Sequence, residues 1–120
     1  MDTLKILVVD DESRMRKLVK DFLTKKNFQV LEAGNGEEAM DIFYEEKDIA
    51  LIILDVMMPK MDGFEAARQI RRVPHKDAQM IPIIAMSAKD AREDMDACKE
   101  AGMNDYLAKP VEPQRLYQVL

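Results

Sequence analysis

The chain has 120 residues and a formal net charge of −5; this is enough for one domain that buries most of the surface its unfolded form exposes, and too acidic for a general nucleic-acid or anionic-membrane surface. With 48% apolar and 34% charged residues it has the composition of a globular domain, no apolar run approaches the roughly 20 residues that cross a bilayer, and Asp10-Asp11-Glu12 interrupts the early apolar stretch where a signal peptide would continue. The single Cys98 excludes an internal disulfide and fits a reducing compartment, so a cytoplasmic location is expected.

In chain order, Lys5-Ile6-Leu7-Val8-Val9 is a short β-branched run ending in Asp10-Asp11. Met15, Leu18, Val19, Phe22 and Leu23 then recur at helical spacing, with basic residues on the outer face. Asn27 is a left-handed stop for that helix. Residues 28–33 read as a second strand, and Asn35-Gly36-Glu37-Glu38 opens a helix with a capping side chain and an acidic first turn. Ala39, Ile42 and Phe43 form its buried stripe. Leu51-Ile52-Ile53-Leu54-Asp55 is an unbroken apolar run closed by one aspartate, as expected of a strand buried on both faces. A loop with Pro59 follows, then a helix over 63–73 that uses Phe64, Ala67 and Ile70.

After a polar connection at 74–79 that includes a solvated His75, residues 81–86 form a fourth apolar strand with Pro82 near its start, ending at Ser87-Ala88. A helix runs to Ala101 and stops at Gly102; Cys98 shares its apolar side with Ala91 and Met95 as core filler. Asp105-Tyr106-Leu107-Ala108 is a short last strand ending at Lys109-Pro110, and Pro113 starts a final helix through Leu116, Val119 and Leu120. Five strands alternating with five helices predict an α/β fold, a parallel sheet covered on both sides in the flavodoxin-like order 2-1-3-4-5. Its switch point lies between the strands that end in Asp10-Asp11 and in Asp55.

The strand ends thus present Asp10, Asp11, Asp55, Ser87 and Lys109 at the edge where such folds bind ligands. Three carboxylates in one crevice repel, and a cation keeps all of them ionised. Oxygen ligands on a partly open site suit Mg²⁺, which keeps waters and accepts a phosphate oxygen. A metal beside a carboxylate, a hydroxyl and an ammonium suits phosphoryl transfer, with the carboxylate as nucleophile and metal and lysine stabilising the equatorial oxygens.

These elements resemble the receiver (response-regulator) domain of two-component signalling, of the CheY-like superfamily, over essentially all of residues 1–120. The likeness rests on Ile6-Leu7-Val8-Val9-Asp10-Asp11-Glu12, Leu54-Asp55-Val56-Met57-Met58-Pro59-Lys60-Met61-Asp62-Gly63, Met86-Ser87-Ala88 and Asp105-Tyr106-Leu107-Ala108-Lys109-Pro110. It implies that Asp55 accepts a phosphoryl group from a histidine kinase or histidine phosphotransfer domain. It implies that Asp11, Asp55 and the Met57 main-chain carbonyl bind Mg²⁺ (or Mn²⁺) directly, with Asp10 acting through water. Lys109 would pair with the phosphoryl group, aimed by a cis Lys109–Pro110 bond. Ser87 and Tyr106 would be the switch pair, acting on an output domain or downstream protein through the fourth helix, last strand and last helix. Met57 and Lys89 flank the expected site, and slow self-hydrolysis of the phosphoryl group is expected.

Simpler readings compete at each position. Acidic residues before a helix often only complement its dipole; Asp55 could shape a turn; Ser87 with Asp90 fits a capping box; Tyr106 could be a packed sheet residue. Gly34-Asn35-Gly36-Glu37-Glu38-Ala39 matches a dinucleotide fingerprint, but after the second strand and with two glutamates where the pyrophosphate would sit. A small Mg²⁺-dependent phosphatase or nucleotide-binding α/β enzyme is the alternative from another class; the short connections leave no lid for it. A pseudo-receiver is a third, and no residue of the phosphorylation set is missing. The short final helix is expected of a domain cut from a longer protein. Gln114-Arg115-Leu116-Tyr117-Gln118 departs from the basic dimerisation pattern of winged-helix regulators, whereas residues 97–106 are similar to receivers attached to hybrid sensor kinases.

Overall fold

The computed structural model describes residues 4–46, 48–56, 63–73, 80–87, 91–109 and 111–120, with the backbone alone over 91–95. Met57, Pro59, His75, Lys89, Asp90 and Pro110 lie outside the described residues, and with them the proposed carbonyl ligand, the capping box and the cis bond. So do the side chains of Ala91 and Met95.

The described elements are β1 (Lys5–Val9), α1 (Ser13–Lys25), β2 (Gln29–Ala33), α2 (Gly36–Glu45), β3 (Ile49–Asp55), α3 (Gly63–Arg72), β4 (Ile83–Ser87), α4 (Ala91–Glu100), β5 (Asp105–Ala108) and α5 (Pro113–Val119). The strands form one parallel sheet in the order β2-β1-β3-β4-β5, as expected from the alternation. Among the described residues no helix is long and apolar enough to cross a membrane.

Central strands need apolar side chains on both faces, and the two-residue period of the strand sorts them. Leu7, Val9, Ile52 and Leu54 join one core with Ala39 and Met40 of α2, Ala67 and Ile70 of α3, and Cys98 of α4. Ile6, Val8 and Ile53 join the other, with Val19 and Leu23 of α1 and Leu116 of α5. Adjacent residues of β1 and β3 therefore belong to opposite layers, which explains why their sequences read as continuous apolar runs rather than alternating ones.

Element ends follow local chemistry. Asn27 has φ of 68° and Gly102 of 92°, the left-handed conformations expected at these helix stops. The Asn35 side chain accepts from the Glu38 N–H at 2.9 Å and caps α2. β4 starts two residues later than its apolar run: Pro82 has no N–H for the ladder, and only its carbonyl takes part, accepting from Ile52 at 2.9 Å. β2 likewise starts at Gln29, with Phe28 partly buried against the α1/α5 layer. α3 closes at Arg72, leaving Val73 buried beyond it.

Register levels the functional edge. Val9 stands beside Leu54, Asp55 beside Met86, and Ser87 beside Ala108, so Asp10, Asp55, Ser87 and Lys109 emerge together. Gly63 brings α3 down onto that edge. A Cβ there would overlap the Asp55 carbonyl oxygen and sit 2.7 Å from Val56 Cα, and neither backbone atom can move without displacing the end of β3. Gly63→Ala is therefore expected to destabilise by about 1–3 kcal/mol in urea unfolding. Asn27→Ala should cost about 1 kcal/mol and Asn27→Gly close to nothing, because only the former meets the left-handed penalty; equal costs would refute that account.

Candidate functional site

Among the described residues the buried polar side chains are Asp10, Asp55 and Ser87, all at strand ends, with 0%, 2% and 0% of their surface exposed. A carboxylate surrounded by apolar layers keeps its charge only with partners or an ion. Carboxylate oxygens of Asp10, Asp11 and Asp55 lie within 4.8 Å of one another, Asp11 on the solvent side. The Lys109 ammonium stands between the two buried ones, 2.9 Å from Asp10 Oδ2 and 3.2 Å from Asp55 Oδ2. Its main chain is tied to the sheet, since the Lys109 N–H donates to the Ser87 carbonyl at 2.9 Å.

Burial pulls the Lys109 pKa down, but the close contact with Asp10 and the charges of Asp10 and Asp55 outweigh it and hold the ammonium above the ordinary lysine value. Among the described residues, one ammonium contacts two of the three carboxylates.

Asp10 is fastened at three points. Its N–H donates to the Ala33 carbonyl at 3.1 Å, its carbonyl accepts from Arg16 Nη1 at 2.7 Å, and its Oδ1 accepts from the Glu12 N–H at 2.9 Å. The last closes an Asx turn. Oδ2 is wholly buried and meets the Lys109 ammonium at 2.9 Å in a charge-assisted contact. Neither Asp10 nor Asp11 lies in the first turn of α1, whose N-cap is Glu12, so complementing the helix dipole does not account for them. Three carboxylates and an open side form an oxygen-donor set that could hold a divalent cation keeping part of its water shell.

Ser87 closes β4 one residue past the level of Asp55. Tyr106 pairs with Ala85, two residues before Ser87 on the same sheet face, and is buried in the layer that holds Cys98 and Met103. The fingerprint-like loop at Gly34 is satisfied internally, because the Gly34 N–H donates to the Glu38 carboxylate at 2.9 Å; a pyrophosphate there would meet that carboxylate.

The sequence reading passed over Arg16, one of several basic residues on the outside of α1. Besides the Asp10 carbonyl it contacts Glu32 of β2 at 3.2 Å, and Glu32 also contacts Lys20 at 3.3 Å. The available signal was weak: an arginine one turn into a helix that follows an acidic strand end.

Residues 6–120 match the response regulator receiver domain family. The transcriptional regulatory protein SrrA of Staphylococcus aureus is 39% identical over 112 residues, which are 93% of this chain and 44% of that protein; the chain thus spans less than half the length of this relative. The Vibrio cholerae chemotaxis protein CheY4 superposes with a TM-score of 0.91 at 29% identity, covering 98% of this chain and 96% of that one. The receiver domain of the sensor histidine kinase PA1611 of Pseudomonas aeruginosa, solved with a magnesium ion in its active-site cleft, superposes with a TM-score of 0.85 at 30% identity over 98% and 94%. With the sheet order and the acidic edge already established, these likenesses show that the chain belongs to the response regulator receiver domain family.

Proposed function

We propose that Asp55 is the phosphoryl acceptor of this signalling switch, and that the domain promotes its own phosphorylation and dephosphorylation without turning over an external metabolite. The observation that carries the reading is the convergence of Asp10, Asp11 and Asp55 within 4.8 Å, with Lys109 between the buried pair. A carboxylate oxygen of Asp55 attacks phosphorus and forms the P–O bond as the P–N bond to the donor's histidine breaks; the electron pair leaves with the imidazole. Burial in the sheet edge keeps Asp55 in one orientation for in-line approach. Asp10, Asp11 and Asp55 would hold Mg²⁺, which when bound neutralises charge on the phosphoryl oxygens. Lys109, now paired with the carboxylates, turns to the phosphoryl group once Asp55 carries it.

Ser87 ends the neighbouring strand and would donate its hydroxyl to a phosphoryl oxygen, coupling the event to Tyr106 behind it on the same face of the sheet. Phosphorylation then biases the α4–β5–α5 side towards an output domain or a downstream protein. The donor is a histidine kinase or histidine phosphotransfer domain, in the cytoplasm.

Intact mass after incubation with acetyl phosphate tests this. One added phosphoryl group is expected, dependent on Mg²⁺ and absent in Asp55→Asn; no gain in folded wild type under any condition sinks the proposal.

Lys109 gives a second test. Replacing it by Met leaves the acidic edge uncompensated, and metal-free stability is expected to fall by about 3 kcal/mol, with Mg²⁺ restoring part of the loss. Because pairing raises the lysine pKa above 10.5, the stabilisation is complete below that value and is lost as pH rises through the folded-state pKa. The stability gap between wild type and Lys109→Met should be flat from about pH 7 to 10 and narrow above that. A gap that closes near neutrality would show that the ammonium is not held up by its carboxylates.

A further inference from the structure

The Asp10–Asp11 turn must hold two charged side chains side by side, and only one of them has fixed surroundings. Asp10 is buried and tied at both backbone groups and at Oδ1. Asp11 is exposed, and among the described residues no hydrogen bond or ion pair holds its side chain. What aims Asp11 is its backbone. The Asp10 carbonyl and the Asp11 N–H belong to one rigid peptide plane, so the donor that captures this carbonyl sets the tilt of the plane and with it the direction in which the Asp11 Cβ leaves the chain.

That donor is Arg16. Its Nη1 reaches the Asp10 carbonyl at 2.7 Å while its Nε contacts Glu32 Oε1 at 3.2 Å, so the two ends of one planar guanidinium are held by different elements. Glu32 stands on β2 beside Val8, one residue before Ala33, whose carbonyl accepts the Asp10 N–H. Lys20 on the next turn of α1 contacts the other Glu32 oxygen at 3.3 Å. The clamp therefore refers the acidic turn to the sheet through β2 and to α1 through the Arg16 side chain, and the Arg16 guanidinium contributes no ligand itself.

We infer that Arg16, held by Glu32, is a positioning residue for the divalent cation: it orients the Asp10–Asp11 peptide so that the Asp11 carboxylate meets Asp10 and Asp55 in one coordination set. The inference rests on the metal-binding reading of that set. A lysine cannot replace the arginine, since one ammonium on a flexible stem cannot reproduce the two-ended planar contact. Pairs as exposed as Arg16–Glu32 contribute little to global stability, so Glu32→Gln should leave the fold intact, and the Arg16 effect is read from metal affinity. Outer partners of metal ligands characteristically change affinity by about 10- to 100-fold when removed.

The test is calorimetric titration with Mg²⁺ of wild type, Arg16→Met, Arg16→Lys, Glu32→Gln and Asp11→Asn, with urea unfolding of each in EDTA. Expected are a Mg²⁺ Kd raised about tenfold or more in both Arg16 variants and less in Glu32→Gln, with the unfolding midpoint of Glu32→Gln near that of wild type. In acetyl phosphate labelling, the Mg²⁺ concentration for half-maximal rate should rise by the same factor while the rate at saturating Mg²⁺ stays within about twofold. Arg16→Met or Arg16→Lys binding Mg²⁺ like wild type, while Asp11→Asn does not, overturns the inference and leaves the metal site standing. A lowered unfolding midpoint without a change in Mg²⁺ affinity assigns Arg16 a structural role and also overturns it. Wild type that binds no Mg²⁺ removes both the inference and the metal reading beneath it.

Discussion

Like charges at one sheet edge are the constraint on which this structure turns. Asp10 and Asp55 are almost wholly withdrawn from water, Asp11 lies beside them, and the Lys109 ammonium contacts the two buried ones. A protein selected for stability alone would replace such a group with apolar side chains, which is often neutral or stabilising. Its retention leaves a resting state whose like-charge repulsion a bound cation would relieve. Local electrostatic excess of this kind is the usual raw material of a switch.

The rest of the fold can be read as the means of keeping these charges from separating. Two apolar layers grip β1 and β3 from opposite sides, so neither strand can slide without moving its residues into the wrong layer. Gly63 allows α3 to approach the Asp55 backbone as closely as the main chain permits. At the other end of the same layer, Arg71 of α3 donates to the Gly102 carbonyl at 2.9 and 2.6 Å, and Asn104 accepts from both Arg71 and the Ile83 N–H. That network fastens the starts of β4 and β5, and so the height of the edge at which Ser87 and Lys109 emerge. Burial lowers the Arg71 pKa.

Much of this was legible in the residues. The runs at 6–9 and 51–54 read as strands buried on both faces, and their alternation with amphipathic helices leaves few topologies besides a parallel sheet in this order. Asn27, Asn35 and Gly102 announced helix ends because their backbone and capping preferences are intrinsic to the residue type. The meeting of Asp10, Asp11 and Asp55 followed from a rule about strand ends at a topological switch point. The start of β4 was missed because the apolar run does not distinguish a ladder residue from Ile81, which is buried without pairing, and the effect of Pro82 depends on which groups its neighbour offers.

What the amino-acid sequence determined by itself were properties held within one element: which segments are strands, where helices stop, and which ionisable residues sit at strand ends. These depend on side-chain chemistry and local backbone preference, which act over a few residues. Only the tertiary structure decided the relations between elements: that Lys109 reaches both buried carboxylates, that carboxylate oxygens of Asp10, Asp11 and Asp55 come within 4.8 Å of one another, and that Arg16 bridges the acidic turn to Glu32. Arg16 and Lys17 are alike as letters on a basic helix. Register and packing alone bring one of them to a carbonyl 2.7 Å away, because distance across elements is set by the sheet and its layers and not by position along the chain.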